Sequence, residues 1–234
     1  SQNERLPDAA PACIQLKDVE TVLQKKALRY DKSGDEHFNL ISALHKSLRG
    51  SDPDAALYWM ARMLAAGEDP LYIARRMVRF ASEDIGIADP QALTMALNGM
   101  EAYRFLGPPE GELALAQVAI YLATAPKSNA VYTAYKGVQE DIRRHGTLPV
   151  PLHIRNAPTD LMKDLGYGAN YRYAHDYEDA FVAQQYLPRE IRTHRYYHPT
   201  ERGYEKTVKK LLDRWRRLTQ KSALPDSRQN PEDA

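Results

Sequence analysis

Residues 35–64, DEHFNLISALHKSLRGSDPDAALYWMARML, carry the clearest alternation of apolar and polar positions in the chain. Phe38, Ile41, Leu44 and Leu48 recur at helical spacing, with Asn39, Ser42, Lys46 and Arg49 facing the other way. One amphipathic helix is predicted there. Ser51, Asp52, Pro53 and Asp54 then read as a stop and a restart: a polar N-cap, proline in the first turn, and carboxylates at the positive helix end. The second helix presents Leu57, Met60, Ala61 and Leu64. Joined so tightly, the two helices must run antiparallel and bury each other's stripes.

The restart recurs at Asp69-Pro70 and Asp89-Pro90, so helices are expected to begin near 53, 70 and 90. Leu71, Ala74, Val78, Ala81 and Ile85 form the expected inner stripe of the third, with Tyr72, Arg75, Arg76, Arg79 and Glu83 outside and Gly86 as the stop. Ala92, Met95, Ala96, Met100 and Tyr103 give the fourth a soft face with small residues, which permits close helix approach. After the break at Gly107-Pro108-Pro109, Leu113, Ala116, Gln117, Ile120 and Ala123 predict a helix that ends before Pro126. Val131, Ala134, Tyr135, Val138 and Ile142 predict another, closed by His145 and Gly146. The starts are unevenly spaced, so the pattern is stacked hairpins rather than a repeat array. Ahead of all this, residues 1–12 read as a leader, and Asp18 caps a short helix carrying Val19, Val22, Leu23 and Ala27.

Beyond Gly146 the pattern changes. Pro149, Pro151 and Pro158 favour an extended path, and residues 164–200 show little helical period. Eight of the 15 Tyr lie between Tyr167 and Tyr204, too many rings for a solvated tail, so this segment is expected to pack on the bundle or on a neighbouring subunit. Val208, Leu211, Leu212, Trp215 and Leu218 return to helical spacing among Lys206, Lys209, Lys210, Arg214, Arg216 and Arg217. A polar tail after Ser222 is expected to be disordered. The fold class is therefore all-α: antiparallel helical hairpins in a bundle, a long irregular Pro/Tyr-rich segment and a C-terminal basic helix.

Composition adds bounds. A 43% hydrophobic share of 234 residues supports a real core. The single Cys13 excludes an internal disulfide and fits a reducing cytoplasm, and no apolar run approaches a membrane span or a signal peptide. A soluble, intracellular protein is expected. The net charge of +1 conceals an asymmetry: residues 186–221 hold 11 Lys and Arg against four Asp and Glu, so an anionic partner belongs at that end.

Catalytic patterns fail one by one. The dipeptide Gly-Lys of a phosphate-cradling loop never occurs, and Gly166-Tyr167-Gly168 is followed by Tyr171 where a dinucleotide fingerprint needs its third glycine. No zinc spacing is present; His194 and His198 are four apart but lack companion ligands. Glu83 and Asp84 are neighbours that a helix points about 100° apart, and they are better explained as a solvent face or as local ion pairs with Arg79. His45 reads as a hydrogen-bonded edge residue, and Ser51 as a cap. What survives is the C-terminal mixture of Arg, Lys and Tyr, since cations neutralise phosphates and exposed rings stack on unpaired bases.

Longer stretches carry a resemblance: ALRYDKSGDEHFNLISALHKSLRGSDPDAALYWMARML, EDPLYIARRMVRFASEDIGIADP, YLATAPKSNAVY, LPVPLHIRNAPTDLMKDLGYG, YRYAHD and QQYLP. From about Leu16 to about Trp215 the chain resembles the C-terminal portion of the replication-associated recombination protein A (MgsA) family, which includes the eukaryotic Werner-helicase-interacting ATPases. The resemblance implies an AAA+ clamp-loader-group ATPase acting on DNA at stalled forks, as a homotetramer beside single-stranded-DNA-binding protein. The ATPase core that would bind ATP and Mg has no counterpart in this sequence, so no catalytic, cofactor or metal residue carries over.

The resemblance divides the chain into 1–34, a leader with the last lid helix; 35–146, a collar-like oligomerisation domain; 147–222, a family-specific Tyr/Arg-rich segment packed on it; and 223–234, a disordered tail. Self-association and DNA contact are the expected functions, with the fragment itself not an enzyme. Lys46, Arg49, Arg75, Arg76, Lys127, Arg192, Arg195, Lys209 and Lys210 are the DNA-facing candidates, chosen for charge and position. The rival reading is a protein-interaction scaffold that never touches DNA.

Overall fold

Three Asp-Pro pairs set three helix starts. The computed structural model describes residues 35–223 and shows eight α-helices and no strand among them. The expected leader, the short helix from Asp18 and the tail lie outside the described residues. The helices are α1 (Asp35–Arg49), α2 (Pro53–Ala65), α3 (Pro70–Phe80), α4 (Gln91–Leu106), α5 (Glu112–Thr124), α6 (Ala130–His145), α7 (Asp160–Asp164) and α8 (Glu205–Ala223). The Asp52, Asp69 and Asp89 carboxylates accept from the amides of Ala55, Leu71 and Gln91 at 2.9, 2.9 and 3.1 Å. Each satisfies an amide that a helix leaves unpaired at its start.

The chain divides into two compact units, one holding residues up to Met77 with Leu97–Thr124, the other Val78–Ala96 with Ala125 onward. In the first unit α1 packs on α2, and both pack on α5. Leu44, Leu48, Met63, Ile73, Leu115 and Leu122 are fully buried, each contributing about 2 kcal/mol of apolar burial. Gly99 of α4 makes close approach possible: a Cβ there would lie 2.2 Å from Val118 Cγ2. The soft face expected of α4 is thus used at a residue the pattern did not single out.

Four expected stripes are corrected. Phe38 is 63% exposed, and Leu40 takes its place inside beside Ile41 and Leu44. On α5 the phase is wrong, with Leu113 77% and Ile120 42% exposed while Leu115, Val118, Ala119 and Leu122 are buried. That helix is apolar nearly all round, so periodicity could not choose its face. Of the stripe expected for α3, Ala74, Ala81 and Ile85 are buried as predicted, but Leu71 and Val78 are only half-buried and Ile73, Met77 and Phe80 fill the inside with them. The apolar stripe expected of α6 is not buried either, with Val131, Tyr135 and Ile142 exposed and Ala134 and Val138 half-buried.

In the second unit the chain leaves α3 through a wider π-helical turn (Ala81–Ile85) and a 3-10 turn (Gly86–Ala88). Gly86, at φ 53°, ends the π turn, as the sequence predicts for this position. These turns pack against α6, and the 3-10 turn also meets the start of α8. Backbone bonds tie them in: Ser128 N to Asp84 O at 2.7 Å and Tyr204 N to Ala88 O at 2.8 Å. The Pro/Tyr-rich stretch is irregular as expected, broken by short turns and by α7, which Thr159 caps.

Gly203 sits where the chain enters α8, at φ 52°, and a Cβ there would stand 2.0 Å from the Ala88 carbonyl oxygen and 2.7 Å from Pro126. Gly203→Ala therefore combines a left-handed backbone with a clash against main chain. It should destabilise the protein by about 3 kcal/mol in urea unfolding; a loss under about 1 kcal/mol would contradict the geometry.

Candidate nucleic-acid interface

Lys210, Asp213, Arg216, Arg217 and Gln220 recur on α8 at spacings of three and four, which aligns them on one side of the helix. With Arg195 they line a hollow of about 500 Å3 in the second unit. Arg195, Lys210 and Arg217 are exposed and Arg216 is half-buried. Asp213 stands 3.6 Å from Arg216 and gives its carbonyl to Arg217 Nε at 3.3 Å. Four cations face one carboxylate, and the surplus makes the hollow attractive to a polyanion.

Of the nine cations chosen from sequence, Arg195 and Lys210 are brought together here. Lys209 turns away and pairs with Glu201, which raises the lysine pKa and lowers that of the carboxylate. Lys127 is partly buried with its Nζ 2.6 Å from the Ala125 carbonyl, and burial lowers its pKa against the opposing pull of Asp84. Arg192 is exposed and borders a different hollow with Arg155 and Arg189. The other four belong to the first unit: Lys46 and Arg49 are exposed in the last turn of α1, Arg75 lies 5.2 Å over the Tyr72 ring, and Arg76 is half-buried. Arg216 and Arg217 were missed as site residues, although their register with Lys210 was legible in the sequence.

Two carboxylates fix the segment that carries Arg195. Asp141 of α6 accepts from Tyr196 OH at 2.7 Å and from His194 Nδ1, and these bonds lower its pKa against the desolvation that raises it. Glu205, at the first position of α8, is fully buried. Burial pushes its pKa up, but donors from the Thr200 amide (2.8 Å), Ser128 Oγ (2.7 Å), the Thr200 hydroxyl and Tyr197 OH (3.0 Å) outweigh that and hold it lowered. Burial, together with the same carboxylate, raises the pKa of Tyr197. His194 and His198 go to different partners, Asp141 and the Arg195 carbonyl. Among the described residues, no three His, Cys, Asp or Glu are grouped to hold a metal ion, and no helix is long and apolar enough to cross a membrane. Glu83 pairs with Arg79 at 2.6 Å, as expected.

The tyrosines divide in a way the sequence did not show. Tyr196 and Tyr197 pack with their hydroxyls on the two carboxylates, and Tyr167 lies under Arg155 at 4.9 Å. Tyr171, Tyr173, Tyr177, Tyr186 and Tyr204 are exposed. Hydroxyl partners hold some of the rings, and the rest face solvent.

Helical hairpins joined to a basic, tyrosine-rich segment define an all-helical accessory region of the kind AAA+ ATPases carry. Comparison with known proteins makes this specific. Residues 50–216 match the family described as MgsA AAA+ ATPase C terminal, residues 2–49 match the AAA C-terminal domain, and the chain belongs to the MgsA family. It is 51% identical to replication-associated recombination protein A of Coxiella burnetii over 91% of this chain and 48% of that protein. With the protein of the same name in Escherichia coli (strain K12) the identity is 54%, over 80% of this chain and 42% of that protein. With ATPase WRNIP1 of Dictyostelium discoideum it is 48%, over 85% and 22%. The chain spans about half or less of the length of these relatives.

Glu205 has a lowered folded pKa, so the stability it contributes is complete above the ordinary value of 4.5 and is lost as pH falls through the folded value. Glu205→Gln should cost about 3 kcal/mol at pH 7 in urea unfolding, with the gap to the natural protein narrowing below about pH 4. An equal gap at both pH values would show that the charge on Glu205 is irrelevant.

Proposed function

We propose that this chain is the self-association and DNA-contact region of a larger AAA+ ATPase acting in replication, recombination and repair. The observation that carries the self-association reading is an apolar hollow of about 460 Å3 in the first unit. Leu57, Met60 and Leu64 of α2 line it with Leu113 and Ala116 of α5. Leu113 is 77% exposed at its edge, and Phe105, near the end of α4, is 90% exposed. Large apolar side chains left so open are what a second copy covers. In this reading residues 35–146 supply the oligomerisation surfaces and 147–222 the family-specific contacts, with residues 1–34 a leader and the last lid helix. The assembly is a homotetramer that holds ATPase modules at fixed spacing, and ATP and Mg bind in the core that the sequence does not contain. Single-stranded-DNA-binding protein is its partner at the fork.

The basic hollow supports the DNA-contact half of the reading. Arg195, Lys210, Arg216 and Arg217 meet phosphates there, while Lys46, Arg49, Arg75, Arg76, Lys127, Arg192 and Lys209 remain secondary candidates. The contact is electrostatic, and a duplex or a single strand satisfies it.

In sedimentation velocity the chain should run as a tetramer at micromolar concentration, and Leu113→Asp should shift it to smaller species without loss of helicity. A natural chain that stays monomeric at high micromolar concentration would overturn the self-association reading. Replacing Arg216 and Arg217 with Ala should weaken oligonucleotide binding and lower the slope of log affinity against log salt by about two. An unchanged slope would remove these residues from the interface.

A further inference from the structure

The second unit holds another hollow, of about 420 Å3, lined by His153, Arg155, Asn156, Gly168, Tyr171 and Tyr186. Its two rings are 46% and 51% exposed, yet the chain beneath them is tightly tied. Gln184 Nε2 donates to Tyr186 OH and to the Arg172 carbonyl, both at 2.8 Å, and Gln184 Oε1 accepts from the Arg172 amide at 3.3 Å. His153 Nε2 donates to the Gln185 carbonyl at 2.6 Å. Arg155 is fixed by bonds to the Val150 carbonyl (2.6 Å) and Tyr167 OH (3.1 Å). Rings carried on a tied backbone yet open to solvent lose less freedom when something flat stacks on them than rings on a mobile loop would.

The surroundings say which flat group. Arg155 is a shared wall with the next hollow, lined by Pro151, Arg189 and Arg192 among others. Arg192 precedes Arg195 of the basic hollow by only three residues, no more than about 10 Å of extended chain. The sequence of surfaces is therefore rings first, then cations. A ligand matching it must be aromatic at one place and polyanionic along its length.

We propose that Tyr171 and Tyr186 bind unpaired bases of a single DNA strand whose phosphates continue over Arg155, Arg189 and Arg192 into the basic hollow. This deepens the DNA-contact reading and rests on it. A duplex can satisfy the cations alone, because its bases are already paired and stacked inside; a single strand satisfies both surfaces. The hollow thus makes the second unit discriminate between the two.

The test is fluorescence anisotropy of the whole chain with a labelled thymidine single strand and a blunt duplex of equal length, each at two salt concentrations. Replacing Tyr171 and Tyr186 together with Ala should weaken single-strand binding about tenfold or more, leaving duplex binding and the salt slope unchanged. Replacing both with Phe, which keeps the rings, should retain most single-strand affinity. If the Ala pair binds the single strand as the natural chain does, while Ala at Arg216 and Arg217 weakens it, the hollow takes no bases and the DNA-contact reading stands. If the natural chain binds neither oligonucleotide, both fall. A second measurement is independent of any folding defect: a single strand carrying 5-iodouracil, irradiated on the natural chain, should crosslink at Tyr171 or Tyr186. Crosslinks confined to other residues would overturn the proposal.

Discussion

A single buried carboxylate organises the second unit. Glu205 starts the basic helix α8, where an acid suits the positive end of the helix dipole, yet it is wholly removed from water. Such a group is tolerable only when hydrogen bonds replace its hydration. Ser128 arrives from the approach to α6, and Tyr197 and Thr200 from the irregular segment. One side chain therefore joins three parts of the chain, and Gly203 lets the backbone press against Ala88 beside it.

The candidate interface inherits its shape from that joint. Arg195 lies between His194 and Tyr196, which Asp141 holds to α6, and just ahead of Tyr197 and Thr200, which Glu205 holds to α8. A cation on so irregular a stretch would otherwise wander; anchored at both sides, it keeps station across from Lys210 and Arg217. The few acidic residues in this basic region are thus the ones that aim its positive charge. Exposed ion pairs such as Lys209 with Glu201 matter less, because solvent screens them.

Much of the fold was legible because its signals are local. Asp-Pro pairs fixed three helix starts, Gly86 and Gly146 marked stops, and the lack of period after Gly146 announced the irregular segment. The inward face of α5 was not legible, since Leu113, Leu115, Val118, Ile120 and Leu122 leave no polar side to define it. The site was harder still. Surplus charge located the right end of the chain, but the bond from Ser128 to Glu205 spans 77 residues and has no sequence signature. Charge alone also could not separate Lys210, which faces the hollow, from Lys209 next to it.

Function follows from how firmly these surfaces are held. Membership of the MgsA family sets the setting, and the geometry supplies an apolar hollow in one unit and a basic, ring-bearing face in the other. The basic hollow depends on the Glu205 joint, and native-state hydrogen exchange tests that dependence most directly. In the natural chain the Ser128, Thr200 and Tyr204 amides should exchange as slowly as the core of α8, and in Glu205→Gln all three should become fast together. A Thr200 amide that exchanges freely in the natural chain, while α8 stays protected, would contradict the account.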